Sequence, residues 1–140
     1  MIDRRALLGL LAAVPALFAV GWFATGGLAT DSLAAGRAPF DRAAFDAAVA
    51  AGGPVLIDVY APWCTTCRAQ SAVLADLFQS PAFSGFQVFV IDYDSQKDLM
   101  RSFGVQQRST LIAFAGGVEV GRVIGDTRPA AIEALLAGAI

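Results

Sequence analysis

The chain has 140 residues, no histidine, two cysteines and a formal net charge of −2, and these counts exclude most familiar catalytic and metal-binding schemes. Without histidine there is no Ser-His-Asp or Cys-His machinery, no histidine zinc site and no histidine-ligated haem, and two cysteines cannot complete a Cys₄ zinc or iron–sulfur site. The length allows one domain, a composition 56% hydrophobic and 16% charged is too apolar for a disordered chain, and the small negative balance offers nothing to nucleic acid.

Residues 6–30 carry no charge. Arg4-Arg5, an apolar middle and then small residues follow the order of a secretory signal, while about 20 apolar residues would also span a bilayer. Gly9, Pro15, Gly21, Gly26 and Gly27 dilute the run, which favours export and leaves an uncleaved anchor open. Residues 1–29 are read as a signal peptide or membrane anchor, with Gly27-Leu28-Ala29 and Ser32-Leu33-Ala34 as small-x-small cleavage candidates. Asp3 to Leu8 resembles a twin-arginine signal, with Asp3 and Leu7 as mismatches. The competing reading, a buried helix of the domain, fits the length and charged flank poorly. Cleaved or not, the arginines stay on the cytoplasmic side and the remainder crosses, so the domain is expected on the periplasmic side of a bacterial envelope, free or anchored to the inner membrane.

Residues 30–39 read as a linker of small residues ending in Pro39, and the domain as residues 40–140. Asp41 caps an Ala-rich helix with Phe40, Ala44, Phe45, Ala48 and Val49 at helical spacing, stopped by Gly52-Gly53-Pro54. Val55 to Tyr60 is a β-branched and aromatic strand, followed by Ala61-Pro62-Trp63 and a helix from Cys64 or Thr65 to about Phe78, with Val73, Leu74, Leu77 and Phe78 inward. Val88 to Ile91 is a second apolar strand; Ser95 with Asp98 resembles a capping pair for a helix to about Phe103, closed by Gly104. Thr110–Phe114 and Val118–Ile124 flank Ala115-Gly116-Gly117, a hairpin signal. Thr127 can cap a last helix with Pro129 in its first turn and Ile132, Leu135 and Leu136 inward. The order αβαβαββα implies parallel strands joined through helices and then an antiparallel edge, an α/β sandwich with a central mixed sheet.

Cys64 and Cys67, two residues apart at the start of a helix, can close a small disulfide. Helix N–H groups facing Cys64 favour its thiolate, which lowers its pKa below the free value of about 8.5. Cys67 lies one turn on and is expected to be more buried. Cys64 would then attack a substrate disulfide, and Cys67 would attack Cys64 to release the reduced substrate. Trp63 can shelter the pair from water. Strand alternation puts Asp58 on one face with Leu56 and Tyr60, where burial raises a carboxyl pKa and suits a proton acceptor for Cys67. The alternative is an exposed or hydrogen-bonded structural aspartate, since burying an unpaired charge is costly.

The stretch from Val55 to Cys67 resembles the thioredoxin family in its strand, buried acid, Trp-Cys-x-x-Cys site and helix start, and the hairpin, Gly125 and last helix follow in the same order. The resemblance covers about residues 40–139 and implies a thioredoxin-like three-layer sandwich in which Asp58 is the buried acid. Many thioredoxins place a lysine near that acid; Val88 to Tyr93 has none, which leaves the proton route to water alone. In the family a cis-proline faces the cysteines and is followed by threonine; here Arg108-Ser109-Thr110 stands there, with Ser109 at the proline position. A non-proline cis bond costs about 3–4 kcal/mol, so a reshaped, trans loop is expected. The family pairs this loop with bound substrate, which marks Trp63, Arg108, Ser109 and Thr110 as substrate-binding; the Ser109 hydroxyl can also hydrogen-bond Cys64, and Arg108 can stabilise a thiolate or attract an acidic partner. Both residues lining an ordinary surface loop is the plainer reading. Thr65-Thr66 replaces the Gly-Pro of ordinary thioredoxins.

The resemblance implies a thiol–disulfide oxidoreductase without cofactor or metal, acting as a monomer on proteins bearing disulfides. A reductase is favoured over an oxidase because the helical insertion of periplasmic disulfide oxidases is absent, and outside the cytoplasm it would need a membrane electron donor. Two other readings stay open: a Cu(I)-handling protein, since two thiolates bind that ion, and a binding module whose disulfide stays closed.

Overall fold

The computed structural model describes residues 36–140, so the leader at 1–29 and the start of the linker lie outside the described residues. In chain order the elements are β1 (Arg37–Pro39), α1 (Arg42–Ala50), β2 (Val55–Tyr60), α2 (Thr65–Leu77), β3 (Gln87–Asp92), α3 (Lys97–Ser102), β4 (Thr110–Ala115), β5 (Val118–Ile124) and α4 (Pro129–Ala137). The five strands form one sheet in the order β1-β3-β2-β4-β5. β1 and β2 run parallel to β3, and β4 runs antiparallel to both β2 and β5. This is the expected mixed sheet with an antiparallel edge, extended by one strand.

That strand is a departure from the linker reading. Residues 37–39 are extended and pair with β3, with the Val88 N–H donating to the Gly36 carbonyl at 3.3 Å and the Phe40 N–H donating to the Val90 carbonyl at 2.8 Å. Pro39 lacks a donor, which an edge strand tolerates. Three residues are too few to show the alternation by which a strand is read from sequence.

β2 lies at the centre of the sheet and is buried on both faces, which is why its sequence is almost continuously apolar. Its side chains divide between two cores. Val55, Ile57 and Val59 join Phe45, Phe89, Ile91 and Ile112 on one side. Leu56 joins Leu74, Val88, Leu111, Ile132 and Leu136 on the other, beneath α2 and α4. Each such fully buried aliphatic side chain contributes about 1.5–3 kcal/mol over exposure, so these two layers hold the sheet against its helices.

The ends of the helices match expectation in part. Asp41 caps α1 by accepting the Ala44 N–H at 2.8 Å. Ser95 does not cap α3: its N–H and hydroxyl both donate to the Asp92 carboxylate, at 2.7 and 2.6 Å, and the helix starts only at Lys97. Thr127 does not cap α4 either. Arg128 is its N-cap residue, fixed by its N–H donating to the Asp126 carboxylate at 2.9 Å, with Pro129 in the first turn as expected. In the first case the hydroxyl is already spent on an aspartate upstream, and in the second Asp126 holds the Arg128 N–H and shifts the helix start one residue past Thr127. The β4–β5 hairpin turns through Gly116 and Gly117, both at positive φ (54° and 84°), the backbone such a tight turn requires.

Candidate active site

The connection from β2 to α2 delivers Cys64 as the N-cap residue of α2, where its sulfur accepts the Cys67 N–H at 3.1 Å. Cys64 and Cys67 are joined as a disulfide, 3% and 0% exposed respectively, so the second cysteine is the deeper one. The helix-terminal amide that now touches the Cys64 sulfur would stabilise negative charge on it after reduction. Trp63 stands beside the pair, 54% exposed, with its indole N–H donating to Asp94 at 2.7 Å and its ring edge-on to Tyr93.

The loop before β4 closes the other side. No peptide bond among the described residues is cis, and Ser109 is the one non-glycine residue among them at positive φ, 58°. Backbone of this kind costs a serine on the order of 1–3 kcal/mol and persists where the surroundings over-determine it. Here they do: the Ser109 N–H donates to the Val59 carbonyl at 2.9 Å, and its carbonyl accepts the Gly125 N–H at 2.8 Å and the Gln70 amide at 3.2 Å. Gln70 also donates to the Asp126 carbonyl at 3.0 Å, tying α2 to both loops. The clamp aims the Ser109 hydroxyl at the disulfide, 3.2 Å from the Cys64 sulfur and 3.1 Å from the Cys67 sulfur.

Arg108 lies outside this clamp, its guanidinium 5.0 Å from the Trp63 ring centroid. Thr110 is buried, its hydroxyl donates to the Gln107 carbonyl at 2.9 Å and its backbone lies in register with Val59 of β2 and Ile124 of β5, so it serves the sheet and not a visiting chain. A groove of about 220 Å³ lined by Thr66, Tyr93, Gln106, Arg108, Ser109 and Gly125 lies against this loop and the first turn of α2.

Asp58 is 1% exposed on the β2 face covered by α2. Burial pushes its pKa from 3.8 up to about 6, and the Arg37 guanidinium beside it, through charge and a hydrogen bond, limits the rise. Arg37 comes from β1, pairs with Asp58, donates to the Ser71 hydroxyl at 2.9 Å and lies 5.5 Å from the Tyr60 ring centroid. Ser71 is one helical turn after Cys67, so the pair sits directly below the site. The absence of a lysine in β3 therefore does not leave the acid without a cation. One Asp58 oxygen, the Arg37 Nε and the Gln70 Oε1 are buried without a partner. Among the described residues Asp58 hydrogen-bonds neither cysteine.

Sequence reasoning missed Arg37 and Gln70. The only mark of Arg37 is a lone arginine among small residues. Gln70 has the character of any polar residue on an amphipathic helix, and only the positions of residues 109 and 126 bury it.

A helix-capping disulfide with a buried acid under it and a groove beside it defines an enzyme of dithiol–disulfide exchange. Comparison with known proteins agrees. The family model described as thioredoxin matches residues 37–138, and the chain belongs to the thioredoxin family. It is 34% identical over 84 residues to a thioredoxin of Aspergillus fumigatus, covering 60% of this chain and 76% of that one. It is 33% identical over 90 residues to a thioredoxin of Alicyclobacillus acidocaldarius, covering 64% and 85%. The crystal structure of Trxlp from Edwardsiella tarda superimposes with a TM-score of 0.69 and 45% identity, over 71% of this chain and 97% of that one. The protein is a thioredoxin-type thiol–disulfide oxidoreductase with a Cys-x-x-Cys site.

Proposed function

We propose that the protein is a reductase of protein disulfides on the periplasmic side of a bacterial envelope, working as a monomer that is exported or held at the inner membrane by residues 1–29, and re-reduced by a membrane electron donor. The observation that carries the chemical part is the placement of Cys64 at the α2 N-terminus with the Cys67 N–H on its sulfur. As a thiolate, Cys64 attacks one sulfur of the substrate disulfide; the other leaves, and a mixed disulfide remains. Cys67 then attacks Cys64, re-forming the internal disulfide and releasing the second substrate sulfur. Asp58, its pKa held near 6, is largely ionised at neutral pH and accepts the Cys67 proton through water, its charge balanced by Arg37.

Substrate lies in the groove against Trp63 and the loop. Both backbone groups of Ser109 are already bonded within the fold and Thr110 is flanked by β2 and β5, so the visiting chain meets the Arg108 peptide, and the Arg108 side chain favours acidic flanks. The described helices amount to α1–α4, without the inserted helical unit of periplasmic oxidases, which supports the reducing direction.

Cys67→Ser in the full chain is expected to accumulate mixed disulfides through Cys64 in the envelope fraction; their absence there would refute the assignment. The reduction potential should lie near that of thioredoxin, about −270 mV, and a value close to the −120 mV typical of a strong oxidase would reverse the direction.

A further inference from the structure

We propose that Ser109 sets the reduction potential of the site: its hydroxyl donates to the Cys64 thiolate of the reduced form and so favours the open dithiol over the closed disulfide. The proposal rests on the reading of Cys64 as the thiolate, and adds to it a residue that governs how strongly the pair reduces its substrate. Its basis is geometric: one buried hydroxyl lies within hydrogen-bond reach of both sulfurs, 3.2 Å from Cys64 and 3.1 Å from Cys67.

The two redox states use this contact unequally. A disulfide sulfur is a neutral, weak acceptor, whereas a hydrogen bond to an ionised acceptor is roughly twice as strong as one between neutral groups. When the disulfide takes up two electrons and one proton, the S–S bond breaks, Cys64 becomes a thiolate and Cys67 a thiol. The Ser109 O–H then joins the Cys67 N–H, already 3.1 Å from the Cys64 sulfur, as a second donor to the charge. The lone pairs of the same hydroxyl accept the Cys67 S–H. Ser109 neither gains nor loses a proton, and withdrawing the Cys67 proton during turnover remains the task of Asp58.

The backbone lets the contact survive reduction. At positive φ the N–H and carbonyl of residue 109 are tied to Val59, Gly125 and Gln70, so the hydroxyl turns towards the Cys64 sulfur about its own side-chain bonds while the chain stays in place. A proline at this place would present only ring carbons. The charged groups around the site are held elsewhere: Arg37 and Asp58 pair below it, Asp94 accepts the Trp63 indole N–H, and the Arg108 guanidinium lies 5.0 Å from the Trp63 ring centroid. Among the described residues the hydrogen-bond partners of the Cys64 sulfur are the Ser109 hydroxyl and the Cys67 N–H.

Ser109→Gly removes the hydroxyl and suits positive φ, which makes it the deciding variant; Ser109→Ala removes the hydroxyl with the smallest change of side chain. In the reduced full chain, iodoacetamide alkylation across pH, resolved by residue with mass spectrometry, reads the acidity of Cys64. Ser109→Gly should lower that acidity about tenfold to a hundredfold. Equilibration with glutathione or dithiothreitol buffers reads the potential, which should become more negative by about 30 mV per tenfold at pH values where Cys64 is ionised in both proteins. Below the Cys64 titration both proteins hold a neutral thiol, so the two potentials should converge there. Unchanged acidity, or a potential difference of the same size at every pH, would overturn the role of the hydroxyl. If alkylation instead shows Cys67 to be the more acidic thiol of the unmodified protein, the Cys64 reading itself fails.

Discussion

Arg37→Met tests how the buried acid is controlled, because methionine keeps an unbranched apolar stem beside Tyr60 and removes the charge. In the intact protein, burial lifts Asp58 from 3.8 to about 6. Because the folded-state pKa is the higher, folding takes up a proton in this range. The contribution of Asp58 to stability is therefore fully present below about pH 4 and is lost as pH rises through about 6, by about 3 kcal/mol in all. Arg37 opposes the rise through its charge and hydrogen bond, and a hydrogen bond to a charged group is worth about 1.5–3 kcal/mol, or about one to two pKa units. Without it Asp58 should titrate at about 7–8. The carboxyl would then be largely protonated at neutral pH, where it can no longer accept the Cys67 proton, and the alkaline limb of the stability loss would extend above pH 7. Carbon-13 NMR of labelled aspartate gives the pKa directly, urea denaturation across pH 4–9 gives the linked stability, and the pH profile of disulfide reduction should move upward with both. Arg37→Lys should restore part of the shift. An Asp58 pKa unchanged or lowered in Arg37→Met would refute the reasoning.

Gln70→Ala removes the side chain that ties α2 to the Ser109 and Asp126 carbonyls; a loss of about 1–3 kcal/mol in urea denaturation is expected, with faster amide exchange at Gly125. Gly125→Ala meets no side chain, yet at φ 67° the new Cβ is strained, so it should cost about 1–2 kcal/mol and loosen the bond to Ser109, visible in the same two measurements. Leu74→Ala, fully buried between α2 and the sheet, should cost about 2–5 kcal/mol by thermal or urea denaturation while leaving the reduction potential near its original value.

The parts of the molecule legible in the sequence are those whose signal is local. Val55–Tyr60 forms a strand over the expected residues because a buried central strand is apolar on both faces and is bounded by turn residues. The cysteine helix, the hairpin through Gly116-Gly117 and the inward residues Ile132, Leu135 and Leu136 follow for similar reasons. Asp58 was readable as a buried acid because a carboxyl interrupts an otherwise apolar strand. Arg37 was not, since its partner lies 21 residues away and its strand pairs through three residues only. The misplaced caps at Ser95 and Thr127 share a pattern: the residue type fits a helix start, but an aspartate just upstream bonds the local turn and the helix begins later. Ser109 falls between these cases. Its hydroxyl was expected near Cys64, but contact with both sulfurs depends on a left-handed backbone set by hydrogen bonds to three other parts of the chain, at Val59, Gln70 and Gly125.

β1 also bears on where this domain can be cut. A fragment beginning at Phe40 would pass for complete by its helices and its cysteines, yet it would uncover the outer edge of β3, open to pairing with another chain. It would also discard Arg37 and leave Asp58 buried alone. The excised domain would thus differ from the whole protein in both its tendency to self-associate and its acid–base behaviour, and the reason would lie in three residues with the composition of a spacer.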